Sequence, residues 1–112
     1  MKEVTIITGK HASGKTTLAR KMTENLNAVE ILKPDYQSIK SAMEDEPDVI
    51  ILEDATRETI KEIYMYAQKQ SFTYRPAYAR EMITKPFPKV ICCTQQSINK
   101  QNKFPGAEFI NL

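Results

Sequence analysis

Residues 7–18, ITGKHASGKTTL, constrain the fold of this chain more than any other stretch of it. Gly9 and the run Gly14-Lys15-Thr16 fit the pattern G-x-x-x-x-G-K-[ST]. In that pattern backbone amides surround a phosphate group, the lysine neutralises its charge and the hydroxyl faces a magnesium ion. The loop has to follow a strand and open a helix, because the helix N-terminus then points at the anion.

The residues on both sides of the loop meet this requirement. Val4 to Thr8 is a short β-branched run that predicts a buried strand. After Lys15, the apolar residues Leu18, Met22 and Leu26 recur every four positions and predict one stripe of a helix. The order of strand, loop and helix therefore agrees with a phosphate-binding loop.

Each part of this loop has an expected role in binding a nucleotide. The amides of Ser13 to Thr16 would point at the phosphates, Lys15 would neutralise the β and γ phosphates, and Thr16 would hold Mg²⁺. Lys10 and His11 occupy variable positions, where a solvated loop tip is the simpler interpretation. The predicted nucleotide-binding residues are Gly9, Lys10, His11, Ala12, Ser13, Gly14, Lys15, Thr16 and Thr17.

Strand and helix patterns alternate along the rest of the chain. Asp35 and Thr56 predict the N-caps of two helices. The inner faces of these helices are expected to be Ile39, Ala42 and Met43 in the first, and Ile60, Ile63, Tyr64 and Ala67 in the second. Further strands are predicted at residues 28–32, 49–52, 90–94 and 108–112. This alternation is typical of an α/β sandwich with a mostly parallel sheet.

The length and the cysteine content of the chain further limit its domain number, its location and its possible disulfide or metal sites. A chain of 112 residues can bury one modest core, so residues 1–112 are expected to form a single domain. Lys2-Glu3 at the start is followed by no long apolar stretch, which argues against a signal peptide or a membrane protein and favours the cytoplasm. Cys92 and Cys93 are adjacent and offer neither zinc spacing nor a disulfide framework, so we expect both in a buried strand.

Polar side chains follow two of the predicted strands. Glu53 and Asp54 end the run VIIL, where a phosphate-loop protein needs one carboxylate near the metal and another to orient or deprotonate water. Either acid could take either role; with Glu53 on the metal, Asp54 is the candidate base. Thr94, Gln95 and Gln96 follow the strand 90–94 and could reach the γ-phosphate, because open α/β sheets bind ligands where their strands end.

A basic and aromatic segment separates the second capped helix from the strand 90–94. Residues 1–54 hold seven basic and ten acidic residues, a net charge of −3, whereas residues 55–112 hold nine and four, a net charge of +5. Residues 71–89 contain three prolines and four aromatics and predict a loop or irregular hairpin. Arginine and aromatic side chains together can grip phosphates and stack on bases, whereas a solvated loop is the simpler alternative. A basic polar link is expected between residues 94 and 108.

The order of GKHASGKT, VIILEDA and YRPAYAREMITKPFPKVICCTQQ resembles a known family. It is similar to the P-loop ATPase core of superfamily 3 helicases of viruses and mobile elements, which is AAA+-like, and of the virulence-associated E type proteins. The likeness spans most of residues 3–96. It implies ATP and Mg²⁺ as ligands and a three-layer sandwich with strand order 5-1-4-3-2, in which the strand of the polar sensor lies between the loop strand and the acid strand.

The resemblance also implies roles for residues of this chain. Lys15 and Thr16 correspond to the phosphate and magnesium residues, Glu53 and Asp54 to the acid pair, and Gln95 to the sensor, where the family usually has Asn. The segment 72–89 corresponds to a loop or hairpin that faces single-stranded DNA. The expected contacts in that segment are Arg75, Tyr78, Arg80 and Lys85.

The chain departs from this family in its length and its arginines. The four arginines are Arg20, Arg57, Arg75 and Arg80, and none follows the sensor strand, where the family usually supplies an arginine finger to its neighbour. Arg75 or Arg80 would have to substitute. We therefore expect a minimal ATPase, or a nucleotide-gated DNA-binding module with a separate protein partner, rather than a complete helicase. A homo-oligomer is compatible with this prediction.

Two other functions fit the sequence. A small nucleotide or metabolite kinase would begin with such a loop, would use Tyr74 to Arg80 as its arginine-bearing lid, and would place the acid strand beside the loop strand. A noncatalytic module would bind nucleotide tightly without turnover, although the intact pair Glu53 and Asp54 argues against it. ATP and GTP both remain candidates, since no guanine-reading N-K-x-D motif is present.

Overall fold

The computed structural model of the chain describes residues 2–98 and 104–112. Strands and helices alternate in it, as the sequence predicts, and two additional strands form a hairpin. In chain order the elements are β1 (Val4–Thr8), α1 (Lys15–Met22), β2 (Ala28–Ile31), α2 (Tyr36–Glu44), β3 (Val49–Leu52), α3 (Arg57–Lys69), β4 (Ser71–Tyr74), β5 (Ile83–Pro86), β6 (Lys89–Thr94) and β7 (Glu108–Asn111). None of the described helices is long and apolar enough to cross a membrane.

Five strands form one parallel sheet in the order β2-β3-β6-β1-β7. This confirms the predicted α/β class with a mostly parallel five-stranded sheet. When the five strands of this sheet are numbered 1 to 5 in chain order, their order across the sheet from β7 to β2 is 5-1-4-3-2. β6 lies between β1 and β3, because Cys92 pairs with Ile6 on one side and with Leu52 on the other. The loop strand and the acid strand are therefore not neighbours.

The sheet has helices on both sides, which makes three layers. Alternate strand residues face opposite sides, so each side has its own core. The buried residues of α2 and α3 pack on one side with β4, and those of α1 pack on the other. Every residue of β3 is buried, as expected for a central parallel strand. Cys92 and Cys93 are also buried, on opposite sides, which confirms that prediction.

The two predicted helix caps are confirmed. The carboxylate of Asp35 accepts a hydrogen bond of 2.8 Å from the amide of Ser38. The hydroxyl of Thr56 accepts one of 3.2 Å from the amide of Thr59, whose own hydroxyl accepts from the amide of Thr56. Such caps contribute about 1 kcal/mol each to stability. The predicted inner faces are also confirmed: Ile39, Ala42, Met43, Ile60, Ile63 and Ala67 are buried, and Tyr64 is half-buried.

The predicted stripe of α1 was wrong at its last residue. The helix ends at Met22, and Leu26 lies beyond it with 43% of its surface exposed. The reason is local: the hydroxyl of Thr23 donates to the carbonyl oxygens of Ala19 and Arg20. A threonine side chain that bonds to these carbonyls competes with continuation of the helix.

The segment 71–89 forms an antiparallel hairpin of β4 and β5. Phe72 is buried and its ring contacts those of Tyr36, Tyr66, Tyr74 and Phe87, which anchors the hairpin to α2 and α3. The turn, residues 75–82, follows this aromatic cluster. Of the predicted basic link, residues 99–103 lie outside the described residues.

The hairpin lies where the strands of the sheet begin, which we call the amino end of the sheet. The amide of Phe87 donates to the carbonyl of Gln70, at the end of α3, and the amide of Ala77 donates to Glu44 at the end of α2. Lys89, which begins β6, donates its amide to the carbonyl of Asp48 just before β3. The loop 9–14 lies at the opposite, carboxyl end of the sheet.

Candidate phosphate-binding site

The loop between β1 and α1 presents the amino end of a helix. Gly14 is the N-cap of α1 with φ +91°, in the left-handed region that glycine adopts without a steric penalty. Glycine has no side chain to cap the first amides of the helix, and such amides are an anion site. Leu18 donates its amide to the Gly14 carbonyl at 2.9 Å, so the helix begins directly after the loop.

Gly9 is required at the start of the loop for a steric reason. A Cβ atom placed there would lie 2.4 Å from Oγ of Ser13 and 3.2 Å from Cβ of Leu112. The amide of Gly9 donates to the carbonyl of Thr94 at 3.2 Å, which joins the loop to the end of β6. The chain therefore approaches itself too closely at Gly9 to admit any larger residue without a shift.

The ammonium group of Lys15 lies inside the loop. Nζ donates to the carbonyl oxygens of Gly9 at 3.1 Å and Lys10 at 2.7 Å, and it is 3.5 Å from Oγ of Ser13. These contacts hold a positive charge at the centre of the loop and next to the first amides of α1. An anion bound by those amides would therefore meet a cation within hydrogen-bond range.

Glu53 is the acid that faces the loop helix. Its amide donates to the carbonyl of Ile31 on β2 at 3.0 Å, and its carboxyl group lies beside the hydroxyl of Thr16. Burial raises the pKa of the Glu53 carboxyl, and the neighbouring carboxylate of Glu30 raises that pKa further. The hydroxyl of Thr16 and this carboxylate form a pair of oxygen donors.

Asp54 is exposed and has a different environment from Glu53. Its φ of +46° lies in the left-handed region, which aspartate tolerates better than most residues. The next residue, Ala55, donates its amide to the carbonyl of Cys93 at 2.8 Å. The chain thus turns sharply at Asp54, and the two acids of the pair present their side chains to different surroundings.

The polar residues after β6 also have separate environments. Thr94 is buried; its hydroxyl donates to the carbonyl of Ala55 at 2.6 Å and accepts from the amide of Gln96 at 3.0 Å. Oε1 of Gln96 accepts from the amide of Arg57, the first residue of α3, at 2.7 Å. Gln95 is exposed, and it directly follows the residue that bonds to Gly9.

Cys93 lies beneath the loop and the acids. Burial raises the pKa of its thiol to about 11; the carboxylate of Glu53 raises it too, while the ammonium of Lys15 acts in the opposite direction. The thiol therefore lies close to the lysine and the acid that the sequence predicts for one site. A neutral buried thiol is an inert part of the floor of that site.

The structure brings two further residues to this site that sequence reasoning missed. Arg20 donates to the carboxylate of Glu30 at 2.8 and 3.1 Å, and its Nη2 lies 4.0 Å from Oε1 of Glu53. Arg20 is four residues after Thr16, so the two lie on the same face of α1. That spacing could have indicated Arg20 from the sequence, whereas Glu30 needed the strand order.

The predicted nucleic-acid contacts are remote from the loop. Arg75, Tyr78 and Arg80 are exposed in the turn of the hairpin, at the amino end of the sheet. Nζ of Lys85 forms an ion pair of 3.2 Å with Glu46. The kinase alternative needs Arg75 and Arg80 over the loop of the same chain, and they lie at the opposite end of the sheet. That either residue supplies an arginine finger to a neighbour stays a prediction.

The donors at the site fit magnesium. A hydroxyl and a carboxylate are hard oxygen ligands, and Mg²⁺ usually takes one or two protein ligands together with waters and substrate phosphates. Within residues 2–98 and 104–112 no group of three or more His, Cys, Asp and Glu side chains is placed to hold a metal.

A scan of the sequence against models of protein families and a search among curated proteins both found no match.

Proposed function

We propose that this chain binds Mg²⁺-ATP through residues 9–17 and hydrolyses it, as a minimal P-loop ATPase similar to superfamily 3 helicases. One observation carries the proposal: β6 lies between the loop strand β1 and the acid strand β3. Gln95, which follows β6, therefore comes between the residues that follow β1 and those that follow β3 at the carboxyl end of the sheet, which supports its proposed role. Parallel α/β sheets bind their ligands at this end.

The same observation disfavours the kinase alternative. A small kinase would place the acid strand beside the loop strand, whereas β3 pairs here with β2 and β6. A kinase would also need arginines over the phosphates. Arg75 and Arg80, in the segment that would supply this lid, are at the amino end of the sheet. Hydrolysis therefore agrees with the arrangement better than transfer to a second substrate.

Each residue of the site has a role in this proposal. The amides of Ser13 to Thr16 and the ammonium of Lys15 hold the β and γ phosphates. Thr16 and Glu53 would hold Mg²⁺, which, when bound, neutralises charge that develops on the phosphate oxygens. Asp54 accepts a proton from the attacking water as the bond from the γ-phosphorus to its bridging oxygen breaks. Gln95 orients that water against the γ-phosphate.

The hairpin supports single-stranded DNA as the partner. Arg75 and Arg80 are exposed beside Tyr78, whose ring is fully exposed in the turn. Exposed aromatic rings stack on bases and guanidinium groups bind phosphates, so this surface suits a flexible single strand. α3 runs from one end of the sheet to the other. It begins at Arg57, whose amide donates to the side chain of Gln96, and it leads directly into β4.

The test is steady-state ATP hydrolysis by the purified chain, with and without single-stranded DNA. Lys15→Ala and the double variant Glu53→Gln with Asp54→Asn serve as controls. The proposal expects turnover that DNA stimulates and that both variants abolish. ATP binding without release of phosphate under either condition would contradict hydrolysis and favour a noncatalytic nucleotide-binding module.

A further inference from the structure

We propose that Arg20 and Glu30 are positioning residues that hold the carboxylate of Glu53 over the hydroxyl of Thr16. This inference rests on the proposed function, because it concerns the residues that would hold Mg²⁺. It adds two side chains, from α1 and β2, to a site that the sequence analysis built from the loop, β3 and β6 alone.

The backbone brings the three charged residues to one side of the sheet. Ala28 packs in the core that α1 covers, and Glu30 faces the same way because strand residues alternate. Glu53 directly follows β3, which pairs with β2. The amide of Glu53 continues the backbone hydrogen bonds between these two strands by donating to the carbonyl of Ile31. Arg20 reaches this surface from α1, one helical turn after Thr16.

The guanidinium of Arg20 contacts both carboxylates. Its Nη2 and Nε donate to the two oxygens of Glu30 at 2.8 and 3.1 Å, in the two-pronged geometry that fixes both planes. The same Nη2 lies 4.0 Å from Oε1 of Glu53. Burial, and then the neighbouring carboxylate of Glu30, raise the pKa of the Glu53 carboxyl, so the two acids lie close together. Glu53 thus lies next to an arginine and a glutamate that are bound to each other.

Stability does not explain this arrangement. The side chain of Arg20 is 62% exposed, and exposed ion pairs contribute about 0–1 kcal/mol. Two adjacent carboxylates repel each other, so a second acid beside Glu53 is unfavourable for folding alone. What the arrangement supplies is orientation: a glutamate side chain has several rotatable bonds, and the charge of Arg20 favours positions in which the carboxylate of Glu53 faces the guanidinium.

Residues that orient a metal ligand have a measurable effect. Removing such an outer partner commonly costs about 10–100-fold in metal affinity or activity. We expect Arg20→Ala to lower kcat by about 10-fold or more and to raise the Mg²⁺ concentration needed for tight ATP binding by a similar factor. Binding of ATP without Mg²⁺ should not change, because Lys15 and the loop amides are intact.

Two more variants separate orientation from charge. Glu30→Gln keeps the shape of Glu30 but frees Arg20 to pair with Glu53, so it too should raise the Mg²⁺ requirement. Arg20→Lys keeps the charge without the two-pronged contact, and we expect it to restore only part of the loss. Lys21→Ala, an exposed neighbour on α1, is the matched control and should behave like the unmodified chain.

The experiment measures binding of a fluorescent ATP analogue over a range of Mg²⁺ concentrations, together with phosphate release, for all of these chains. A raised Mg²⁺ requirement in Arg20→Ala and Glu30→Gln, with an unchanged Lys21→Ala, is the expected result. An unchanged Mg²⁺ requirement in both variants overturns the inference and leaves the proposed function intact. If the unmodified chain does not bind Mg²⁺-ATP, the proposed function fails and the inference fails with it.

Discussion

The hydroxyl of Thr94 donates a hydrogen bond of 2.6 Å to the carbonyl oxygen of Ala55. This bond joins the residues that follow β3 to the end of β6. The amide of Ala55 also donates to the carbonyl of Cys93 at 2.8 Å, so the two segments are connected twice. The acid pair and Gln95 are therefore held in one rigid unit at the carboxyl end of the sheet.

Replacing Thr94 with valine should destabilise the fold. Valine has a similar shape, but the buried carbonyl of Ala55 and the amide of Gln96 would lose their partner, at a cost of about 1–3 kcal/mol. Urea unfolding measures the change. Thr73→Val is the control, since its hydroxyl bonds to that of Thr84 on an exposed face; an equal loss of stability in both variants would contradict the prediction.

Lys15→Ala should weaken ATP binding by about 10–100-fold, because it removes a charged hydrogen-bond donor worth roughly 1.5–3 kcal/mol from the loop. Isothermal titration calorimetry with Mg²⁺-ATP measures this affinity. Lys61→Ala, an exposed substitution on α3, should leave it unchanged. Equal affinities for Lys15→Ala and the unmodified chain would exclude the loop as the binding site.

Gly9→Ala should weaken ATP binding because the new methyl group would lie 2.4 Å from Oγ of Ser13. Adding Ser13→Ala removes that oxygen but leaves separations of 3.2 and 3.3 Å from the Cβ atoms of Leu112 and Ser13. The double variant should therefore recover part of the affinity, as measured by the same titration. No recovery would show that the clash with Oγ is not the cause.

The stability of the fold should fall between about pH 9 and pH 11 through Cys93. The pKa of this thiol rises from 9.0 to about 11 on folding, so the unfolded chain loses the proton first. The stabilisation is complete below pH 9 and is lost as the pH rises through 11, by about 2–3 kcal/mol. Urea midpoints from pH 8 to pH 11, compared with those of Cys93→Ala, measure it; parallel curves would contradict the prediction.

The double variant Arg75→Ala with Arg80→Ala should weaken binding of single-stranded DNA and leave ATP affinity unchanged, because the hairpin and the loop lie at opposite ends of the sheet. On single strands the slope of log K against log salt should become less steep by about 0.7 for each phosphate that the protein no longer neutralises. Fluorescence anisotropy at several salt concentrations measures this slope. Lys61→Ala is the control, and an unaltered slope in the double variant would place the DNA elsewhere.

Local features of this protein could be predicted from its sequence. The strand Val4 to Thr8, the loop after it and the caps Asp35 and Thr56 depend on residues within a few positions of each other. Leu26 shows the limit of such reasoning: periodicity extended α1 to this residue, but the hydroxyl of Thr23 competes for the helix carbonyls. The spacing of apolar residues carries no information about that competition.

The resemblance to a known family, rather than periodicity, was the basis for expecting a strand between β1 and β3. Strand order depends on which strands pair, and pairing depends on contacts between residues far apart in the chain. The hairpin illustrates the same point. Its composition predicted a basic aromatic surface, while only packing of Phe72 against α2 and α3 determined that Arg75 and Arg80 lie away from the loop 9–14.

The sequence by itself determined the loop between β1 and α1, because the steric demands on Gly9 and Gly14 and the contacts of Lys15 operate within eight consecutive residues. Only the tertiary structure decided which acid meets that loop. Glu53 and Asp54 are adjacent in sequence, but strand pairing with β2 directs Glu53 toward Thr16 and Arg20, while a left-handed turn exposes Asp54. The electrostatics of the site thus arise from elements that meet only when the sheet forms.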